Sequence, residues 1–143
     1  MKNISLENAP GRMFHSISSK LIKRLEKEGK QFGLTTSNQF GILLLLSTSP
    51  MSQKEIANQT FSDEPTTTRT LDRMIKNGLV VKTKSTEDKR KQIVQMTSKG
   101  KELFENVFPI VLNINNDIKD MLDIDEYNQF IKTMKKIDKN FLI

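Results

Sequence analysis

The strongest constraint on the fold lies between residues 52 and 96, where two short helix signals are followed at once by two strand-like segments. The segment SQKEIANQ, residues 52–59, begins with a Ser-x-x-Glu capping box. The segment DEPTTTRTLDRMIKNG, residues 63–78, begins with acids and a proline, which favour a helix start, and ends at glycine, which favours a helix end. The pattern predicts two short helices joined by a break at residues 60–62. The inward face of the second helix is predicted at Leu71, Met74 and Ile75.

Two short strands are predicted directly after these helices. Residues 79–85, LVVKTKS, and residues 92–96, QIVQM, carry the β-branched and apolar residues of strands, and the charged segment STEDKRK forms the hairpin tip between them. Two short helices joined by a tight break are typical of a helix-turn-helix, and the hairpin adds a wing. The predicted fold class is mainly α with a small β-hairpin wing. This winged helix-turn-helix core spans about residues 35–98.

Two further helices are predicted before this core. Residues 12–32 place apolar side chains at helical spacing and stop before Gly33. Residues 36–47 begin with a Thr-x-x-Gln capping box, which marks a helix start. The run Ile42–Leu46 is apolar on every side, and such a run predicts a central buried helix.

The chain after the hairpin is predicted to be helical. Thr97 or Ser98 caps a long helix with a periodic apolar face, and Asp123 or Asp125 caps the last helix. Pro109 lies inside the long helix, where a proline removes a hydrogen bond and is expected to produce a kink.

Apolar stripes at residues 12–25 and 127–141 are larger than a single winged helix is expected to cover. Such stripes belong either to an ordinary helical core or to an interface between two copies of the chain. The helices at about residues 10–32 and 101–143 are therefore candidates for a dimerisation region.

The charge of the chain is unevenly distributed. The net charge of +6 consists of +4 in residues 1–50, +5 in residues 51–101 and −3 in residues 102–143. A basic excess in the first two thirds points to a polyanion such as nucleic acid. The alternative is a lysine-rich surface that only keeps the protein in solution.

The composition also restricts the possible chemistry. The sequence has no cysteine and one histidine, His15, so thiol chemistry is excluded, and neither a metal site, a catalytic triad nor a cofactor is expected. No segment has the length of a membrane span, and the N-terminus lacks the apolar region of a signal peptide, so a cytoplasmic protein is expected. His15 lies beside the apolar Phe14 and either lines a ligand cavity or forms a surface hydrogen bond.

The whole chain, residues 1–143, resembles a single domain of the MarR family of bacterial transcription regulators. No one motif is diagnostic, but the order and spacing of several short motifs together are specific. They are Leu34-Thr35, Gln39-Phe40, SQKEIA at 52–57, TRTLDRM at 68–74, KNGLV at 76–80, and DKR at 88–90 leading through Ile93-Val94 to Met96-Thr97 and Gly100.

This resemblance implies a homodimer in which the N- and C-terminal helices form the dimerisation region. The two winged helices would lie side by side on a pseudo-palindromic operator in double-stranded DNA. A repressor is more typical than an activator. Many members of the family release DNA when a small aromatic or phenolic effector binds between the two halves.

The first candidate DNA-binding residues lie in the second helix of the helix-turn-helix. The N-terminal residues of such a recognition helix lie nearest to the base edges of the major groove. Threonine offers a hydroxyl and a methyl group, whereas arginine can bind guanine in a bidentate manner or hold a phosphate. The candidates are Thr66, Thr67, Thr68, Arg69 and, for a phosphate, Arg73.

The second group of candidates lies on the wing. The family places Asp-x-Arg at the wing tip, and Asp88 and Arg90 match that pattern. A carboxylate that holds the guanidinium in one rotamer reduces the entropy lost on binding, and the narrow minor groove of A·T-rich DNA attracts arginine. The alternative is an exposed ion pair without a function. The remaining wing candidates are Lys84, Lys89 and Lys91.

Two other classes of function compete with sequence-specific DNA binding. A winged helix can serve as a protein–protein interaction module, but such a module does not need a cluster of bases on its wing. An enzyme is disfavoured, because the chain has a single histidine, no cysteine and no glycine-rich phosphate loop.

Overall fold

A computed structural model describes residues 5–60 and 62–142 of the chain. The described residues are mainly helical with a small antiparallel sheet, so the predicted fold class is confirmed. Short 3₁₀ turns lie at Leu6–Asn8 and Lys30–Phe32. The helices are α1 (Pro10–Gly29), α2 (Ser37–Leu46), α3 (Gln53–Thr60), α4 (Glu64–Lys76), α5 (Ser98–Asp120) and α6 (Ile124–Asn140). The strands are β1 (Met51–Ser52), β2 (Val80–Lys84) and β3 (Gln92–Met96).

The predicted capping boxes are present, with one difference in partner. The backbone N–H of Glu55 donates to Ser52 Oγ at 3.2 Å, and the Ser52 N–H donates back to Glu55 Oε2 at 2.6 Å. Thr36 accepts from the Gln39 N–H at 3.4 Å, but the Gln39 side chain accepts from Thr35 instead of Thr36. Both boxes satisfy N–H groups that a helix start otherwise leaves without a partner.

Local hydrogen bonds and glycines also fix several other helix ends. Asp123 is the N-cap of α6 in a full capping box, so the choice between the two predicted aspartates is settled. Thr97 accepts from the Gly100 N–H at 3.0 Å at the start of α5. Gly33 and Gly78 have φ values of 96° and 73°, which glycine adopts without strain, and both lie where helices were predicted to end. Of the predicted break at residues 60–62, residue 61 lies outside the described residues.

The sheet has three strands, in the order β1-β3-β2, where a two-stranded hairpin was predicted. Val80 pairs with Met96 and Lys84 with Gln92 in the hairpin, and Met51 pairs with Val94 in the added edge. A strand of two residues is too short to show alternation, so its sequence carried no signal. The extra strand leads directly into α3 and thereby connects the wing to the helix-turn-helix.

The core of the winged helix is built from α2, α3, α4 and the sheet. Leu43, Ile56, Leu71, Met74 and Val94 are all no more than 1% exposed. The predicted inward residues Leu71 and Met74 are therefore confirmed.

Two predicted core positions are wrong. Ile75 is 36% exposed because it lies beyond the edge of the face that carries Leu71 and Met74. Leu44 in α2 is 41% exposed, so α2 is not buried on all sides. An apolar side chain at the surface is common in proteins, and composition alone does not reveal which face of a helix is covered.

The described chain divides into two compact units, one extending to Ile110 and the other beginning at Val111. In the first unit, the ring of Phe104 stacks between Phe40 and Phe108, with centroids 5.7 and 5.3 Å away. In the second, the Lys119 ammonium lies 5.8 Å from the Tyr127 ring centroid.

Helix α5 is unbroken in its secondary structure at Pro109, and the kink stays a prediction. None of the helices in residues 5–60 and 62–142 is long and apolar enough to cross a membrane.

Candidate nucleic-acid interface

The start of α4 is organised by the carboxylate of Asp63. The backbone N–H of Thr66 donates to Asp63 Oδ1 at 2.7 Å, and the Thr66 hydroxyl donates to Oδ2 at 2.9 Å. These two hydrogen bonds, the backbone one first, hold the pKa of Asp63 below its ordinary value, and the nearby Arg69 acts in the same direction. The carboxylate therefore caps α4 in its charged form.

The five candidates on α4 differ in exposure. Arg69 and Arg73 are exposed, and Thr66 and Thr68 are half-buried. Thr67 is only 2% exposed, and its hydroxyl donates to the Asp63 carbonyl at 3.1 Å. Burial of Thr67 does not fit the predicted base contact, because this side chain shares the inward face with Leu71. Thr67 is therefore not expected to contact a base.

A side chain from the preceding helix positions Thr68. Gln53 Nε2 donates to Thr68 Oγ1 at 2.6 Å, and the Thr68 hydroxyl donates to the carbonyl of Glu64 at 2.9 Å. The contact with Gln53 joins the first turn of α3 to the second turn of α4 across the helix-turn-helix. No sequence pattern predicted it, because the pairing depends on how the two helices cross.

The two arginines of α4 lie beside the start of α2. Arg69 and Arg73 both line a hollow of about 200 Å³, whose other walls include Thr35, Thr36 and Asn38. Arg69 Nη2 also donates to Thr66 Oγ1 at 3.4 Å, which keeps its guanidinium near the start of α4. The hollow is large enough for an anion of phosphate size and presents two positive charges to it.

The wing tip is a closed turn held by its own side chains. The Ser85 N–H donates to the Lys91 carbonyl at 2.8 Å, and the Lys91 N–H donates to the Asp88 carbonyl at 2.9 Å. Ser85 Oγ also accepts from the N–H groups of Glu87 and Asp88, at 3.3 and 3.4 Å. Sequence reasoning missed Ser85, although a serine at the start of a turn is a recognisable signal.

Asp88 and Arg90 are in direct contact at this tip. Asp88 Oδ1 accepts from the backbone N–H of Arg90 at 3.0 Å and from Arg90 Nε at 3.2 Å. The Arg90 backbone and then its side chain hold the pKa of Asp88 below its ordinary value, and Lys91 contributes in the same direction. The Arg90 side chain is 91% exposed, so its guanidinium projects from the tip while the carboxylate restrains its inner end.

The other sequence candidates surround the tip or lie elsewhere. Lys84, Lys89 and Lys91 are exposed on the wing, whereas His15 is exposed on α1 and belongs to neither cluster. Within the described residues, no group of three or more histidine, cysteine, aspartate or glutamate side chains is placed to hold a metal ion. The arrangement thus consists of one helix and one hairpin tip that present arginine and lysine to solvent.

The cap at Asp63 predicts a specific dependence of stability on pH. Because the folded-state pKa of Asp63 is lowered, its charged form stabilises α4 above the unfolded-state pKa of about 3.9, and this stabilisation is lost as pH falls through the folded-state pKa. Asp63→Asn should therefore unfold at lower urea concentration than the parent chain at pH 6. The difference should shrink as both are titrated towards pH 2.5. A difference that stays constant over this range would contradict the assignment.

Comparison with known proteins places the chain in a family. Residues 32–91 match the model of the MarR family. The chain is 34% identical over 110 residues to the uncharacterized HTH-type transcriptional regulator YwoH of Bacillus subtilis, a match that covers 74% of this chain and 79% of that protein.

Solved structures share the fold. The Staphylococcus aureus MepR–DNA complex superposes with a TM-score of 0.85 at 20% identity, over 93% of this chain and 98% of that chain. The transcriptional repressor CouR bound to a 23-mer DNA duplex gives 0.82 at 24% identity, over 96% and 98%. CouR from Rhodococcus jostii RHA1 bound to p-coumaroyl-CoA also gives 0.82, at 18% identity and over 99% of both chains. With the family model and the YwoH relationship, the chain belongs to the MarR family of transcriptional regulators.

Proposed function

We propose that this protein is a homodimeric, sequence-specific DNA-binding transcription repressor. The observation that carries the proposal is the contact between Asp88 and Arg90 at the wing tip. A solvated loop gains little from an exposed ion pair, which is typically worth about 0–1 kcal/mol. A side chain that must enter a narrow groove gains from being held in one rotamer before binding.

Each half of the proposed interface has its own role. The exposed Arg90 enters the minor groove, where negative potential is greatest in A·T-rich DNA, and Lys84, Lys89 and Lys91 lie along the adjacent phosphates. Helix α4 enters the major groove with its first turn towards the bases. Arg69 contacts a guanine, and Arg73 with the hollow beside α2 holds a backbone phosphate.

The homodimer is supported by apolar side chains exposed on the terminal helices. On α1, Met13, Phe14 and Ile17 are 51%, 39% and 50% exposed, and on α6, Phe130 and Ile137 are 39% and 38% exposed. Exposed apolar patches on a small protein mark interaction surfaces. The proposed single domain therefore has a DNA-binding core at about residues 35–98 and dimerisation helices at about 10–32 and 101–143.

A pseudo-palindromic site follows from this assembly, and repression is proposed from the likeness to CouR. A two-fold dimer presents two α4 helices and two wings, which match two inverted half-sites. CouR, which shares the fold, is described as a repressor and has been solved with p-coumaroyl-CoA. A small aromatic or phenolic effector that releases the DNA is part of the proposal for this chain.

DNA binding and its dependence on salt test the function. Bound duplexes are selected from a random library, and binding is footprinted upstream of the protein's own gene. We expect a palindromic site whose affinity falls about a hundredfold or more between about 50 and 200 mM salt, because each neutralised phosphate releases counterions. A protein–protein module would bind DNA weakly and without a preferred sequence. Equal affinity for the selected and a scrambled duplex would contradict the proposal.

Truncation after Glu126 tests the dimer. The shortened chain loses most of α6, including Phe130 and Ile137, and we expect it to sediment mainly as a monomer and to bind the selected duplex poorly. The full-length chain is the control in sedimentation velocity at the same concentrations. A tight, monodisperse dimer of the truncated chain would show that α6 is not required for association.

A further inference from the structure

The threonines at the start of α4 have already donated their hydroxyl protons within the protein. The Thr66 hydroxyl donates to the Asp63 carboxylate at 2.9 Å. The hydroxyls of Thr67, Thr68 and Thr70 each donate to the backbone carbonyl four residues earlier, at 2.9 to 3.1 Å. A hydroxyl carries one proton. None of the four therefore retains a proton to donate to a DNA base while these bonds persist.

Two of these threonines lie on opposite sides of Arg69. A helix turns about 100° per residue, which places Thr66 and Thr68 on the two flanks of the exposed position 69. Each of the two hydroxyl oxygens also accepts one hydrogen bond already. Thr66 accepts from Arg69 Nη2 at 3.4 Å, and Thr68 accepts from Gln53 Nε2 at 2.6 Å.

What these side chains retain for DNA is mainly the γ-methyl group. In the major groove only thymine presents a methyl group, at C5, and apolar contact with it is a recognised mode of base readout. We infer that Thr66 and Thr68 recognise thymine 5-methyl groups on either side of the base pair read by Arg69. This inference rests on the proposed function and adds to it the bases that α4 prefers.

The hydrogen bonds of the Thr66 and Thr68 hydroxyls hold the methyl groups of these side chains in place for the same readout. The Asp63 carboxylate orients Thr66, and Gln53 with the Glu64 carbonyl orients Thr68. A side chain with one fixed rotamer loses less entropy on contact. The half-site should therefore contain thymine on both flanks of one guanine contact.

Deoxyuridine provides the direct test, because it keeps every hydrogen-bonding group of thymine and lacks only the methyl. Each thymine of the selected duplex is replaced in turn, in both half-sites, and the Kd is measured. We expect a loss of about three- to tenfold per contacted methyl group, at two positions per half-site. Replacement at positions outside the half-sites is the control and should change the Kd by less than about twofold.

Protein variants assign the methyl contact to its residue. Thr68→Ser removes the methyl and keeps the hydroxyl, and it should weaken binding by the same factor as deoxyuridine, with no further loss on the deoxyuridine duplex. Thr68→Val keeps a methyl but loses the hydrogen bonds that hold it, so it should bind more tightly than Thr68→Ser and no more tightly than the parent chain. Thr133→Ser is the control for the same substitution outside the proposed interface, since Thr133 lies on α6 and its variant should leave the Kd unchanged. Circular dichroism melting checks that each variant is folded.

The results of these binding experiments distinguish the methyl readout from the proposed DNA-binding function. Specific, salt-dependent binding with no deoxyuridine effect at any thymine would overturn the methyl readout and leave the proposed function intact. Weakened binding by Thr68→Val together with unchanged binding by Thr68→Ser would assign the contact to the hydroxyl and overturn the inference at that position. A chain that does not prefer the selected duplex overturns the proposed function and the inference with it.

Discussion

The Arg90→Ala variant is expected to bind its operator at least about tenfold more weakly than the parent chain, with no loss of thermal stability. The Arg90 side chain is 91% exposed in the free protein, so its removal deletes no packing. In the complex it would lie in the minor groove, where a hydrogen bond of a charged group is worth about 1.5–3 kcal/mol, and a dimer would lose two such side chains. A tenfold change in Kd corresponds to about 1.4 kcal/mol. Fluorescence anisotropy with the selected duplex and a melting curve measure the two quantities.

Two control variants distinguish the effect of the guanidinium held by Asp88 from the effect of positive charge alone. Arg90→Lys keeps the positive charge but loses the planar fork and the Nε–H that Asp88 accepts, so it should recover only part of the affinity. Lys89→Ala removes one exposed charge and should reduce the affinity and the salt slope modestly. An Arg90→Ala affinity within about twofold of the parent value would show that the wing tip does not enter the groove.

The second large effect is expected for stability, in the Gly100→Ala variant. Gly100 lies in the first turn of α5 and is buried, and an added Cβ would overlap the carbonyl oxygen of Leu79. It would also lie 2.9 Å from Met96 Cγ and 3.0 Å from the Leu79 carbonyl carbon. The Met96 side chain can move, but the Leu79 carbonyl cannot, because it accepts from the Thr97 N–H at 3.0 Å.

The size of this effect follows from two opposing contributions. Alanine favours a helix over glycine by about 1 kcal/mol, whereas overpacking against a fixed backbone costs about 1–3 kcal/mol and occasionally more. We expect the clash to dominate and the melting temperature to fall by roughly 5 °C.

Gly41→Ala is the matched control for this clash. Gly41 lies within α2 and has no atom within 4 Å of the added Cβ, so the variant should be neutral or slightly stabilised. A Gly100→Ala chain as stable as the parent would show that α5 does not approach Leu79 so closely.

Several parts of the fold and the site could be predicted because they depend on neighbours in sequence. Capping boxes join residues three apart, and the contact between Asp88 and Arg90 joins residues two apart, so their spacing was visible without a fold. Glycines with positive φ at 33 and 78 were predicted as helix ends for the same reason.

Other parts could not be predicted because they depend on which face of an element is covered. Thr67 and Thr68 are adjacent and identical in type, yet one is buried against the core and the other reaches the surface. The strand β1 exists only because β3 offers it partners, and Gln53 contacts Thr68 fifteen residues away. Propensity and periodicity carry no information about such pairings.

The sequence by itself determined the order of the helices and of the two hairpin strands and the position of the caps, since short-range hydrogen bonding and steric preference decide them. The wing-tip pair of Asp88 and Arg90 was predicted from its spacing together with the family resemblance. Only the tertiary structure decided which threonines of α4 remain available at the surface and why residue 100 must be glycine. The physical reason is that the packing of α4 on the core and of α5 on Leu79 sets which side chains are buried and which atoms approach closely. This packing brings together residues that are distant in sequence.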